Sequence, residues 1–147
     1  MAKVSESVLV GASLAETWDH YFDPDGWPVW VEGFGRVARM DGYPEAGATL
    51  VWSSNAAGRG EVTEEVLAHE PRTLHRIAFS DPQSSGELTT RFVVEGDGTR
   101  VTLELDYEVG KGGPLARLTD LFFTRSQVAG SLRRTLGEFR AEVEARG

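Results

Sequence analysis

From Gly35 to Gly110 the apolar residues recur at every second position, and this run constrains the fold more than any other feature of the chain. Candidate strands fall at about 35–41, 48–54, 60–69, 73–80, 86–95 and 99–109. The stretches between them read "DGYPEAG", "NAAGRG", "HEPR", "SDPQSSG" and "EGDGT". These are rich in the residues whose backbone preferences suit tight turns. Connections that short join antiparallel neighbours, because a parallel crossover needs about a dozen residues or more. An antiparallel meander is therefore expected. The alternation is clearest in the last segment, where Val101, Leu103, Leu105, Tyr107 and Val109 share one face. Thr102, Glu104, Asp106 and Glu108 share the other, which reads as a solvated outer face.

The flanks change period. Residues 3–10 alternate loosely and suit a first strand. "SLAE" then forms a capping box, with Ser13 and Glu16 at its ends. Leu14, Trp18, Tyr21 and Phe22 lie on one stripe of a short helix, and Pro24 and Gly26 stop it. "WPVWVEGF" suggests a second short helix. After "GKGGP", Pro114 is pre-set for a first helical turn. The tail beyond it places Leu118, Phe122, Arg125, Ala129, Leu132, Leu136, Phe139 and Val143 on one helical face.

Composition narrows the partners. The chain has 147 residues, enough for one domain with one core. It contains no cysteine, so disulfides, thiolate metal sites and cysteine nucleophiles are excluded. The formal net charge of −8 opposes nucleic-acid and anionic-membrane binding, since nucleic-acid affinity comes largely from cations set against phosphates. "MAKVSESVLVGAS" lacks the apolar run of a signal peptide, and no segment approaches the roughly 18 apolar residues of a membrane span. A soluble, cytoplasmic protein without membrane insertion is expected.

The order is thus strand, two short helices, six strands and a long helix. A curved antiparallel sheet must bury its inner face, and only the C-terminal helix is long enough to cover it. A helix of roughly 30 residues spans about 45 Å. The expectation is an α+β helix-grip fold: about seven curved antiparallel strands around a long C-terminal helix, in a single domain over 1–147. Such a grip leaves unfilled space at one end, and the two short helices would close it.

This order resembles the START/Bet v1-like (SRPBCC) superfamily, and within it the polyketide cyclase/dehydrase branch. The stretches that carry the resemblance are "GRVARMDGYPEAGATLVW", "GEVTEEVLAHEPRTLHRIAF" with its Glu-Pro-Arg-x-Leu turn at 70–74, and the C-terminal helix. The resemblance implies an internal cavity for a small hydrophobic molecule such as a polyketide, aromatic compound or lipid. Some members are cyclases or hydratases and others are binding or assembly proteins. No catalytic motif is shared across them, so no catalytic residue is carried over.

The chain has no nucleophile elbow, Walker loop, dinucleotide fingerprint or His-Glu-x-x-His, and His20, His69 and His75 lack metal-ligand spacing. No metal or cofactor is expected. Asp19, His20 and Asp23 read as a solvated polar face. Inward-pointing polar groups are more informative, because burying one without a partner costs about 1–3 kcal/mol. From Gly60, Val62, Glu64, Val66 and Ala68 share the more apolar face, and Glu61, Thr63, Glu65, Leu67 and His69 the other. Glu64 then points inward, unless a bulge flips the register. On the next strand His75, Ile77 and Phe79 form the bulkier face, and Leu88, Thr90, Phe92 and Val94 the inner face of the one after. Tyr107 needs a partner for its hydroxyl if buried.

Arg125 is the least comfortable residue of the helical seam, since its guanidinium remains charged. Three arrangements accommodate it: snorkelling to solvent, an ion pair with Glu64, or contact with the polar end of a ligand. A helix kink near Phe123 would instead turn it away from the sheet. Trp52 is an inner-face residue, whereas Trp27 and Trp30 either touch ligand or plug the lid. Ser126, Gly130, Gly137 and Ala141 form a strip of small residues suited to close approach by the sheet, a loop or a second subunit, so a homodimer is one reading.

The ligand-binding set expected from sequence is therefore Arg125, Tyr107, Glu64, Thr90, Phe92, Trp52, Trp30, Trp27, Phe122 and Ala129. Were the ligand turned over, Tyr107 or His75 would move protons and Arg125 would stabilise an enolate. The competing reading is a non-enzymatic interaction or carrier module for a protein segment or quinone-like molecule, marked by a filled core and an exposed aromatic patch at Trp27 and Trp30.

Overall fold

The computed structural model describes residues 2–55, 60–109 and 125–146. Seven strands form one antiparallel sheet in the order β1-β7-β6-β5-β4-β3-β2. They are β1 (Ala2–Val10), β2 (Phe34–Asp41), β3 (Thr49–Ser54), β4 (Glu61–Glu70), β5 (Leu74–Ser80), β6 (Ser84–Glu95) and β7 (Gly98–Val109). Between β1 and β2 lie α1 (Leu14–Tyr21), a 3-10 turn (Pro24–Gly26) and α2 (Trp27–Trp30), and α3 (Arg125–Arg146) closes the chain. The predicted meander is the observed one, from β2 through β7. The strand that precedes it, β1, pairs with β7, Val4 opposite Leu105 and Val8 opposite Val101.

Local chemistry sets the element ends. Ser13 Oγ accepts from the Glu16 backbone N–H at 3.1 Å and donates to the Glu16 carboxylate, which fixes the start of α1. Asp81 closes the β5–β6 turn by accepting from the backbone N–H groups of Gln83 and Ser84, each at 2.8 Å. Gly86 stands opposite Tyr107, where a Cβ would lie 2.0 Å from the Asp106 carbonyl oxygen. Only glycine lets β6 and β7 approach so closely.

Two register features decide which side chains of β4 face inward. Thr63 to Val66 pair in regular alternation with β5, which keeps Val62, Glu64 and Val66 on one face. The register then shifts between Val66 and Ala68, so Leu67 is an extra residue and His69 comes directly opposite His75. The alternation read from sequence put His69 on the face opposite Glu64. The bulge reverses that, and His69 shares the inner face.

α3 runs along β1 in the same direction. Arg125 Nη2 donates to the Lys3 carbonyl at 2.7 Å, Arg133 pairs with Glu6 at 3.0 Å, and Glu144 accepts from the Gly11 N–H at 2.8 Å. The helix thereby covers the outer edge of a terminal strand, which would otherwise present unpaired backbone groups. Leu136, Phe139 and Val143 are buried and Leu132 half-buried, as the seam requires. Arg125 departs from it, being exposed at the first described turn. Helical side chains lean toward the N-terminus, and this one reaches the β1 edge instead of the sheet interior. Pro114, Leu118, Phe122 and Phe123 lie outside the described residues.

Phe139, fully buried, sits at the centre of the helix contacts, with ring centroids 4.8 Å from Trp30, 5.6 Å from Tyr21 and 5.8 Å from His20. His20 is accordingly 8 % exposed and is not part of a solvated face. α1 is pressed between sheet and α3, so both of its sides are covered at that point. The outer face of the sheet does carry the expected polar ladder, including the cross-strand pairs Arg76–Glu87 and Arg91–Glu104. Exposed pairs of this kind contribute about 0–1 kcal/mol each.

Candidate functional site

The inner face of the sheet and α3 do not meet everywhere. Between them lies a cavity of about 360 Å³, the volume of about a dozen water molecules. β3 to β7 supply Leu50, Trp52, Glu64, His75, Ile77, Leu88, Thr90 and Tyr107 to its wall. The α1–α2 segment supplies Tyr21, Trp27 and Trp30, and α3 supplies Val128, Ser131, Leu132 and Thr135. The wall is mainly apolar and aromatic, with a few polar groups at defined positions, as small-molecule sites are.

Those polar groups are organised. Glu64 Oε2 accepts from Trp52 Nε1 at 2.8 Å, a contact between diagonal neighbours on β3 and β4. The Tyr21 hydroxyl and Thr90 Oγ1 are hydrogen-bonded at 2.7 Å, joining α1 to β6. The Trp27 indole donates to the Tyr21 carbonyl at 2.9 Å and holds α2 against the end of α1. Tyr43, from the β2–β3 connection, packs edge-on against Trp27 and against His75, both at 5.6 Å. Burial raises the Tyr21 and Tyr43 phenols well above their usual range, and the Glu64 carboxylate adds to it. Both therefore stay protonated. His75 is pushed the other way, down to about 3, by burial and by neighbouring His69. It is a neutral imidazole at ordinary pH.

Of the residues expected from sequence, Glu64, Trp52, His75, Thr90, Tyr107, Trp27 and Trp30 line this cavity. Phe92 does not: it lies beneath the wall, 4.8 Å from the Trp18 ring and 5.4 Å from the Tyr21 ring, as core. Ala129 is half-buried but off the wall, since Val128, Ser131 and Thr135 occupy the helical face turned toward the cavity. Arg125 is exposed and bonded to the Lys3 carbonyl; it neither pairs with Glu64 nor reaches the cavity. Phe122 lies outside the described residues. Trp27 and Trp30 are 5 % and 4 % exposed, so they form buried wall and no surface patch.

Sequence reasoning missed Tyr43, Ser131 and Thr135. Tyr43 was hidden in a stretch whose proline and glycines mark it as a turn, and nothing local shows that its ring folds inward. Ser131 and Thr135 are short polar residues beside a leucine seam, and the signal that could have found them is their spacing with Val128. Among the described residues, no group of three or more His, Cys, Asp or Glu is disposed to hold a metal ion. No helix among them is long and apolar enough to cross a membrane.

A curved antiparallel sheet gripping a C-terminal helix around an apolar cavity defines the helix-grip, START/Bet v1-like class. Within that class, residues 1–144 match the family model described as polyketide cyclase / dehydrase and lipid transport, and the chain belongs to that family. The fold is shared with an aromatase/cyclase, ZhuI, from Streptomyces sp. R1128, at TM-score 0.81 and 15 % identity over 99 % of this chain and 94 % of that one. TTHA0849 from Thermus thermophilus aligns at TM-score 0.77 and 18 % identity over 99 % of each chain. Truncated norcoclaurine synthase from Thalictrum flavum aligns at TM-score 0.71 and 15 % identity, over 97 % and 92 %. No curated protein sequence matches the chain.

Proposed function

We propose that the chain binds one small, mostly apolar molecule, aromatic or polyketide-like in size, in the cavity between sheet and α3. The observation that carries this reading is the cavity itself, apolar-walled with convergent polar groups from α1, β4, β5, β6, β7 and α3. The description of its family, which couples polyketide chemistry with lipid transport, supports the same class of ligand. The polar groups suit orientation of a ligand: the Tyr21 and Tyr43 phenols are held protonated and His75 is held neutral. Of the groups put forward for turnover, Arg125 lies away from the cavity and His75 is a weak base at about 3. The first counts against enolate stabilisation by Arg125 and the second against proton transfer by His75, and both favour binding and positioning. The burial of Trp27 and Trp30 counts against a protein-docking patch.

Three tryptophans on the wall, Trp27, Trp30 and Trp52, make the test direct. Titration with neutral aromatic probes such as 2-naphthol is expected to change tryptophan fluorescence saturably. A Ser131→Trp variant, which fills the cavity from α3, is expected to weaken that binding at least about tenfold while keeping the circular dichroism of the parent. Organic extraction of purified protein with mass spectrometry would identify a native ligand. Equal, non-saturating responses in parent and variant, with nothing extracted, would refute the reading.

A further inference from the structure

The bulge at Leu67 creates a histidine pair that ordinary strand alternation would not. His69 and His75 face each other across β4 and β5, with their Nδ1 atoms 3.0 Å apart. Rings surround them: His69 lies 5.1 Å from Trp18 and 5.1 Å from Phe22, and His75 lies 4.8 Å from Phe22 and 5.6 Å from Tyr43. His75 is 3 % exposed and forms part of the cavity wall. Its Nε2 is buried without a hydrogen-bond partner among the described residues. His69 is half-buried and not on that wall.

Proton counting makes the two rings a single unit. A neutral imidazole carries one N–H, so a bond between two Nδ1 atoms places one proton on one ring or the other. With that proton on His69, His75 keeps its own at Nε2 and is a donor there. With it on His75 Nδ1, His75 Nε2 is a bare acceptor. Once His69 takes a second proton, both of its nitrogens donate, His75 Nδ1 must accept, and only the Nε2–H form of His75 remains. His69 is the ring that charges first, being the more exposed of the two, with the Trp18 and Phe22 rings each 5.1 Å away.

The groups around the pair are few. From the β2–β3 connection, the Glu45 carboxylate acts on His69 and Tyr43 packs on His75. From β6, Thr90 stands opposite His75 in register, and its hydroxyl is engaged by Tyr21 of α1. Glu64 of β4 acts on Tyr21 and Tyr43. Burial lowers His69, and Glu45 works against that shift. We propose that His69 is a positioning residue that sets whether His75 Nε2 offers the cavity a hydrogen-bond acceptor or a donor only. Acidification then shifts the cavity's preference from donor-bearing ligands such as phenols toward ligands that only accept.

The proposal rests on the ligand-binding reading above, and its test separates the two. In protein labelled with ¹⁵N-histidine, the His75 nitrogens are expected to move from a tautomer average to the Nε2–H form. They should do so with the midpoint of His69, while His75 itself stays singly protonated. In a His69→Gln variant, whose amide keeps a hydrogen bond but does not titrate, the His75 nitrogens should stay constant over the same range. The second arm measures affinity for 2-naphthol, which donates, and 2-methoxynaphthalene, which only accepts. Their affinity ratio is expected to fall about threefold to tenfold from a pH above the His69 midpoint, as the nitrogen shifts locate it, to a pH below it, the effect of one hydrogen bond, and to be flat in His69→Gln. His75 nitrogens that ignore the titration of His69 would overturn the coupling. The same pH-dependent ratio in His69→Gln would overturn the role of His69. If neither probe binds at either pH, the ligand-binding reading fails and the selectivity claim with it, while the nitrogen shifts still decide whether the rings are coupled.

Discussion

Acid should destabilise this protein well above the range in which carboxylates titrate, and His75 is the reason. In the folded chain burial and His69 hold its imidazole down to about 3, against 6.5 for a free one. Between those values the unfolded state binds a proton that the folded state refuses. The stability that neutral His75 permits is therefore complete above about pH 6.5 and is lost progressively as pH falls toward about 3. The slope for one such group is about 1.4 kcal/mol per pH unit. Lowering the pH from about 6.5 to about 5 should then remove about 2 kcal/mol, a large part of the roughly 5–15 kcal/mol typical of a domain. At 3 % exposure little screening by solvent reduces this. Burial also lowers His20 and His69, so both add in the same direction. The assay is urea denaturation at about pH 7 and about pH 5, for the parent and for His75→Phe, whose ring suits the apolar surroundings. The variant should be less sensitive to pH by about 2 kcal/mol over that interval. A variant as acid-sensitive as the parent would refute the reasoning, because the proton would then be refused somewhere else.

Phe139→Ala should cost about 3–5 kcal/mol and lower the midpoint of thermal unfolding by roughly 10 °C, read by calorimetry, since Phe139 is fully buried among Trp30, Tyr21 and His20. Arg125→Leu should leave the affinity for 2-naphthol unchanged in a fluorescence titration and alter stability by no more than about 1 kcal/mol, because the guanidinium is exposed and bonded to the Lys3 carbonyl. Tyr21→Phe should cost about 1 kcal/mol in urea denaturation through the lost bond to Thr90.

The sheet was legible because its alternation and its turn chemistry agree. The segment read as 73–80 is Leu74–Ser80, and that read as 99–109 is Gly98–Val109. The same alternation put Trp52, Thr90 and Tyr107 on the inner face, where they line the cavity. What sequence could not supply was the boundary between packed core and empty space. Phe92 and Thr90 share a face and a strand, yet Thr90 reaches the cavity while Phe92 meets the Trp18 ring of α1. Where α1 lies over the sheet decides that difference, and no periodicity within β6 encodes it. Of the three arrangements offered for Arg125, the exposed one is seen and the cavity contact is not, for a related reason. A helical wheel assigns a face, but a side chain at the end of the described helix leans past its own turn and reaches a strand edge.

The register shift after Val66 is the clearest limit on reading this chain by pattern, and also its most consequential detail. A bulge flanking Glu64 would have turned that carboxylate outward and left Trp52 Nε1 without its 2.8 Å acceptor. Falling at Leu67 instead, it spares Glu64 and inverts only the residues beyond it. Strict alternation would have set Ala68 opposite His75 and put His69 in solvent. One inserted residue gives His75 a titratable partner in place of an inert one, while Leu67 itself is left 40 % exposed. A bulge redirects the side chains beyond it because strand side chains alternate with period two. Local composition around Leu67 carries no glycine or proline to announce it. Deleting Leu67 should therefore break the His69–His75 contact while leaving Glu64 and Trp52 in place, a separation that the turn-forming residues elsewhere in the sheet could not produce.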